Sequence, residues 1–96
     1  MASVNVKPAV SNLKVRVYPN PASVNSDITF IPSDVNSDEP FSIKIFSSEG
    51  KLMLSEQVFI NEEGKLVLKQ PKLNTGFYTY SVEVNGAKQV GKLVVD

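Results

Sequence analysis

The stretch Gly76-Phe77-Tyr78-Thr79-Tyr80-Ser81-Val82-Glu83-Val84-Asn85-Gly86-Ala87-Lys88-Gln89-Val90-Gly91-Lys92-Leu93-Val94-Val95 decides the fold. Tyr78, Tyr80, Val82 and Val84 fall on every second position, and Thr79, Ser81 and Glu83 alternate with them. That is the period of a strand with one dry face and one wet face. Asn85-Gly86 follows, a dipeptide that readily takes the positive φ angles of a two-residue hairpin turn. The run from Lys88 to Val95 completes the hairpin, and the other strands are expected to pack against it.

The same alternation recurs upstream. Leu13, Val15 and Val17 alternate with Lys14 and Arg16. Ile28 and Phe30 alternate with Asp27 and Thr29 until Pro32 stops the run. Phe41, Ile43 and Ile45 alternate with Ser42 and Lys44. Ser47-Ser48-Glu49-Gly50 is hairpin chemistry, with Gly50 able to take a left-handed bulge position. Leu52 and Leu54 then share a face, and Val58-Phe59-Ile60 reads as a continuation after a bulge or as an edge segment. Asn61-Glu62-Glu63-Gly64 turns the chain before Leu66 and Leu68, and Gln70-Pro71-Lys72 breaks that run. Leu73 is expected to plug the core as the chain crosses to the other sheet, where Asn74-Thr75-Gly76 opens the final hairpin.

No helical period survives inspection. About seven strands, separated by turn signals, predict an all-β, immunoglobulin-like antiparallel β-sandwich. The expected core is Leu13, Val15, Val17, Ile28, Phe30, Ile43, Ile45, Leu52, Leu54, Leu66, Leu68, Leu73, Tyr78, Tyr80, Val82 and Leu93. Residues 1–12 are polar, small and proline-bearing; they read as a linker or cloning-derived leader, and 13–96 as the folded domain.

Composition narrows function. The 96 residues hold ten basic and ten acidic side chains, so no net charge favours nucleic acid or an anionic membrane as partner. Cys and His are both absent, which removes thiol and imidazole chemistry; a serine nucleophile would have no histidine base. No stretch is apolar for long enough to insert in a membrane as a helix. Asp34, Asn36 and Asp38 alternate as in the first half of a calcium loop, but Glu39 stands where the loop glycine belongs and Ile45 where the bidentate glutamate belongs. A solvated acidic loop is the simpler account, so no metal and no cofactor is expected. The carboxylates read as solubility and turn residues, and the chain is expected not to be an enzyme. Phe41, Phe59, Phe77, Tyr78 and Tyr80 raise the alternative of a sugar-stacking platform, although Tyr78 and Tyr80 are better explained as inner-face residues.

Tyr18-Pro19-Asn20-Pro21 ends the first strand with two prolines that remove two backbone donors and fix two φ angles. On physical grounds it is a stiff corner leaving the sheet. This motif resembles the first motif of the type IX secretion C-terminal sorting domain of Bacteroidota, type A. Phe46-Ser47-Ser48-Glu49-Gly50-Lys51 is similar to that family's strand, turn and glycine. Leu73-Asn74-Thr75-Gly76-Phe77-Tyr78 is similar to its Leu-x-x-Gly-x-Tyr, and Asn85-Gly86 with Lys92-Leu93-Val94-Val95 to its closing hairpin and tail. The likeness spans roughly Leu13 to Val95; Asp96 departs from the family's usual basic or uncharged last residue.

The resemblance implies a non-catalytic secretion signal. It would be carried behind a cargo domain in the same chain and recognised by the translocon at the outer membrane. A sortase would remove it, the cargo passing through the periplasm to the surface or the medium. Lys92, Leu93, Val94 and Val95 are the expected recognition residues. Tyr18, Pro19, Asn20, Pro21, Gly50, Leu73, Gly76, Tyr78, Asn85 and Gly86 are expected to hold the fold. A fibronectin-like or carbohydrate-binding accessory module of a surface enzyme is the alternative. Exposed edge strands would be the route to a homodimer.

Overall fold

The computed structural model describes residues 13–33 and 38–96. The proposed leader and positions 34 and 36 of the acidic loop lie outside them. Seven strands are present among the described residues: β1 (Lys14–Tyr18), β2 (Ile28–Ser33), β3 (Phe41–Ser47), β4 (Leu52–Val58), β5 (Leu66–Leu68), β6 (Gly76–Val84) and β7 (Ala87–Val95). They form two antiparallel sheets, a three-stranded one of order β1-β2-β5 and a four-stranded one of order β4-β3-β6-β7. The chain crosses between sheets after β2, β4 and β5, the arrangement of an immunoglobulin-like sandwich.

The turn chemistry sets the registers. Asn85 and Gly86 both have positive φ, 51° and 83°, and the hairpin they close runs in unbroken register from Val84↔Ala87 to Gly76↔Val95. The Ser47–Lys51 and Asn61–Lys65 turns are built alike. In each, the first residue's side-chain oxygen accepts from the N–H groups two and four residues on. In each, a glycine with positive φ, Gly50 (89°) or Gly64 (77°), closes the turn.

Phe30, Phe41, Ile43, Ile45, Leu66, Val82 and Leu93 are wholly buried between the sheets, and Ile28 and Leu68 almost so. Each contributes about 1.5–3 kcal/mol through removal from water. Phe30 of one sheet meets Tyr80 of the other edge to face, with ring centroids 5.5 Å apart. Leu73 is buried at the crossing, as expected.

Three expected core residues fall short. Leu52 is 49% exposed, and Leu54 and Val17 are half-buried. The reason for Leu52 is a bulge: Ile45 pairs with Leu54 but Phe46 pairs with Leu52, so Met53 is the extra residue. Two positions apart in sequence, Leu52 and Leu54 therefore sit on opposite faces. The strand ends at Val58, with Phe59 exposed and Ile60 packed at the core margin. Conversely Ala22, Phe41, Val84, Ala87 and Val95 join the core.

Candidate functional site: the closing hairpin and the strap across its edge

β7 is the last strand of its sheet, so one row of its backbone groups has no partner among the described strands. The two-residue turn makes Val84 and Ala87 a hydrogen-bonded pair. By alternation, Lys88, Val90, Lys92 and Val94 turn their backbone groups away from β6. The Tyr18–Pro21 corner covers part of this row. The Asn20 amide donates from Nδ2 to the Lys92 carbonyl at 3.0 Å, and its Oδ1 accepts from the Val94 N–H at 3.1 Å. Ala22 continues the pairing in parallel sense beside Val95: its N–H donates to the Val94 carbonyl at 2.7 Å, and its own carbonyl accepts from the Asp96 N–H at 2.7 Å. The Val24 N–H reaches the Asp96 carbonyl at 3.3 Å. The corner thus does more than leave the sheet. It straps the C-terminal end of β7, with Asn20 standing in for a strand residue. Both X-Pro bonds within it, Tyr18–Pro19 and Asn20–Pro21, are cis.

A second amide answers from the other side. Gln89 of β7 points inward, and its Oε1 accepts from the Val15 N–H at 3.1 Å while its Nε2 donates to the Val15 carbonyl at 3.1 Å. Gln89 so closes the seam between β7 and β1, the edge strands of the two sheets. Tyr80 lies beneath it, with its hydroxyl 3.4 Å from Nε2. Tyr80 faces Gly91 across the hairpin, and a Cβ at Gly91 would fall inside the Tyr80 hydroxyl and ring. The glycine is required for the tyrosine to reach the rim.

The remaining motif residues have structural work too. The Tyr78 hydroxyl donates to the Asn74 carbonyl at 2.6 Å, tying the start of β6 to the loop four residues upstream, in the manner of a tyrosine corner. Its ring lies 3.7 Å from where a Cβ on Gly76 would stand. Tyr18 is 41% exposed, and the Lys65 ammonium sits 6.0 Å from its ring centroid. Contact with Tyr18, and after it with Glu63, holds the Lys65 pKa above the ordinary lysine value.

The four expected recognition residues divide by face. Leu93 and Val95 are in the core, Val94 is half-buried and Lys92 is exposed. Lys92 lines a shallow depression of about 150 Å³ with Ser48, Phe77, Tyr78 and Thr79. Of the five aromatics considered for a sugar-stacking platform, Phe41, Tyr78 and Tyr80 are buried, and Phe59 and Phe77 are exposed. Among the described residues no group of three or more acidic side chains is placed to hold a metal ion.

Sequence reasoning left Gln89, Gly91 and the amide of Asn20 without a role. Signals for two were present. The Asn85-Gly86 turn fixes Gly91 opposite Tyr80, and a glycine inside a strand run marks close approach. Gln89 is a polar residue at a dry-face position, which asks for a partner.

Residues 16–96 match the secretion system C-terminal sorting domain family. The chain belongs to that family. A sorting domain of this kind is a non-catalytic tail that engages the type IX secretion machinery and leads to export to the cell surface or medium. No curated protein matches the chain. Among solved structures the sorting domain is similar to CopC from Methylosinus trichosporium OB3b, at 21% identity and a TM-score of 0.54, covering 86% of this chain and 94% of that one. At that identity the likeness is one of sandwich fold alone.

Proposed function

We propose that this sorting domain is a removable address at the end of a secreted cargo protein. The cargo crosses the periplasm with the domain folded behind it. The outer-membrane translocon recognises the closing hairpin, around Lys92 to Val95. A sortase then cuts ahead of the domain, within or before residues 1–12, and the cargo stays on the surface or enters the medium. The observation that carries this reading is the family match over residues 16–96, joined to a structure in which the hairpin runs in one unbroken register. The roles within the hairpin divide. Leu93 and Val95 hold the strand in the core; Lys92 and Val94 present it.

The test is a secretion assay. The full chain is fused behind a signal peptide and a fluorescent reporter in a type IX-competent bacterium. The expected outcome is reporter on the surface or in the medium, lost when the translocon is disabled. Reporter held in the periplasm behind a folded domain would sink the reading.

A further inference from the structure

We propose that the type IX machinery reads the outer face of the four-stranded sheet around Phe77 and Lys92, through an apolar protein surface that carries a carboxylate. This inference rests on the sorting role proposed above and names the surface that role would use.

Elimination narrows the surface first. A partner that added a strand to the C-terminal end of β7 would need the Lys92 carbonyl and the Val94 N–H and carbonyl. Asn20 and Ala22 already occupy all three. A partner that read the inner face would need Leu93 and Val95, and both are buried. What stays readable on this end of β7 is its outer row, Lys92 and Val94.

That row does not stand alone. Phe77 is Val94's cross-strand partner and is 71% exposed, the most exposed large apolar side chain among the described residues. Thr79 pairs with Lys92 on one side and Phe46 on the other, and Phe46 pairs with Leu52, itself 49% exposed because of the bulge. The bulge thus carries an apolar side chain out of the core onto the same face. An exposed aromatic beside a shallow hollow is the composition of an interface centre. The charges on this face set the partner's sign. Lys92 is the outward charged residue of the β6 and β7 ladder at the Phe77 end, with Lys44 of β3 beyond the middle of the sheet and the Asp96 carboxylate just past Val94. Glu83 and Lys88, directly paired, offset each other at the opposite end.

The chain enters the sandwich through β1, whose Val15 is held by Gln89 near the Asn85–Gly86 turn. Phe77 lies at the other end of β6, seven residues or roughly 23 Å away.

The experiment uses the same full-chain reporter fusion, with purified protein for melting curves and sedimentation. Phe77→Glu should keep its melting temperature and lower exported reporter by roughly ten-fold or more. Lys92→Glu should also lower export, and Lys92→Arg should restore it. Phe59→Glu, at a similarly exposed aromatic just past the end of β4, should export normally. Should Phe77→Glu fail to fold, Lys92→Glu, a change at an exposed position, decides. Folded Phe77→Glu and Lys92→Glu proteins exported like the unaltered chain would overturn this inference and leave the sorting role intact. An unaltered chain that is not exported would instead overturn the sorting role. A dimer of the unaltered chain that Phe77→Glu converts to monomer would assign the face to self-association and also overturn the inference.

Discussion

The two long sides of the sandwich are finished differently. Along β1 and β7 the edge strands are tied by side-chain amides reaching in opposite directions, Asn20 to Lys92 and Val94, Gln89 to Val15. Along β4 and β5 the margin is apolar and half-open: Leu54, Val58 and Ile60 pack against the core, and Leu52 and Met53 face solvent. A side-chain amide carries a donor and an acceptor in the spacing of a peptide group, so it can satisfy an edge without adding a strand. Among the described residues the β4 edge has no such strap; its bulge disrupts the flat row of backbone groups that another chain would need. One side is closed by specific hydrogen bonds and tolerates little change. The other is protected by irregular shape and tolerates more.

Three tests probe this contrast, beginning where the loss should be greatest. Gly91→Val would drive Tyr80 from its place beneath Gln89 and so disturb the core and the clasp together. A loss of about 1–3 kcal/mol is expected in urea unfolding. Pairing it with Tyr80→Leu should cost less than the sum of the two single changes, because the clash is then removed. Additive costs would show that the approach of ring and glycine is not what the position requires.

Asn20→Leu removes both bonds of the strap, and a loss of about 1–2 kcal/mol is expected. Hydrogen exchange at the Val94 amide should quicken while that at Val82, in the middle of β6, holds. If the Val94 amide kept its protection, the strap would be held by Ala22 rather than by Asn20. The smallest effect belongs to the open side. Leu52→Ser should change stability by no more than about 0.5 kcal/mol, since its side chain already faces water. A larger loss would mean that Leu52 turns inward in solution, and the contrast between the two sides would fail.

Much of the fold was legible in the sequence because strand alternation is a local code. The period through Tyr78, Tyr80, Val82 and Val84 names the buried face directly, and Asn85-Gly86 fixes the hairpin register. The β4 face was misread for the same reason. Alternation assumes an unbroken register, and a single extra residue at Met53 reverses it for Leu52. The bulge leaves no local signature, because it is set by how β4 pairs with β3.

The site was legible as motifs and not as contacts. Tyr18-Pro19-Asn20-Pro21 shows in sequence as a stiff corner, since two prolines cannot continue a ladder. Its partner is β7, more than seventy residues downstream in the chain, and the bond that matters comes from Asn20 rather than from either proline. Lys92 to Val95 shows as an apolar tail. Which of its members face water depends on the sheet lying beneath it.

The sequence by itself determined the all-β class, the turns, the closing hairpin and the resemblance to a sorting domain. Each is written in residues close together along the chain, where backbone φ preference and side-chain period act. Only the tertiary structure decided that the hairpin's edge is strapped by Asn20 and Ala22, that Gln89 seals the seam to β1, and that Phe77, Leu52 and Lys92 share one exposed face. These depend on strands meeting across long stretches of chain, and no local preference encodes which distant backbone groups an amide will find.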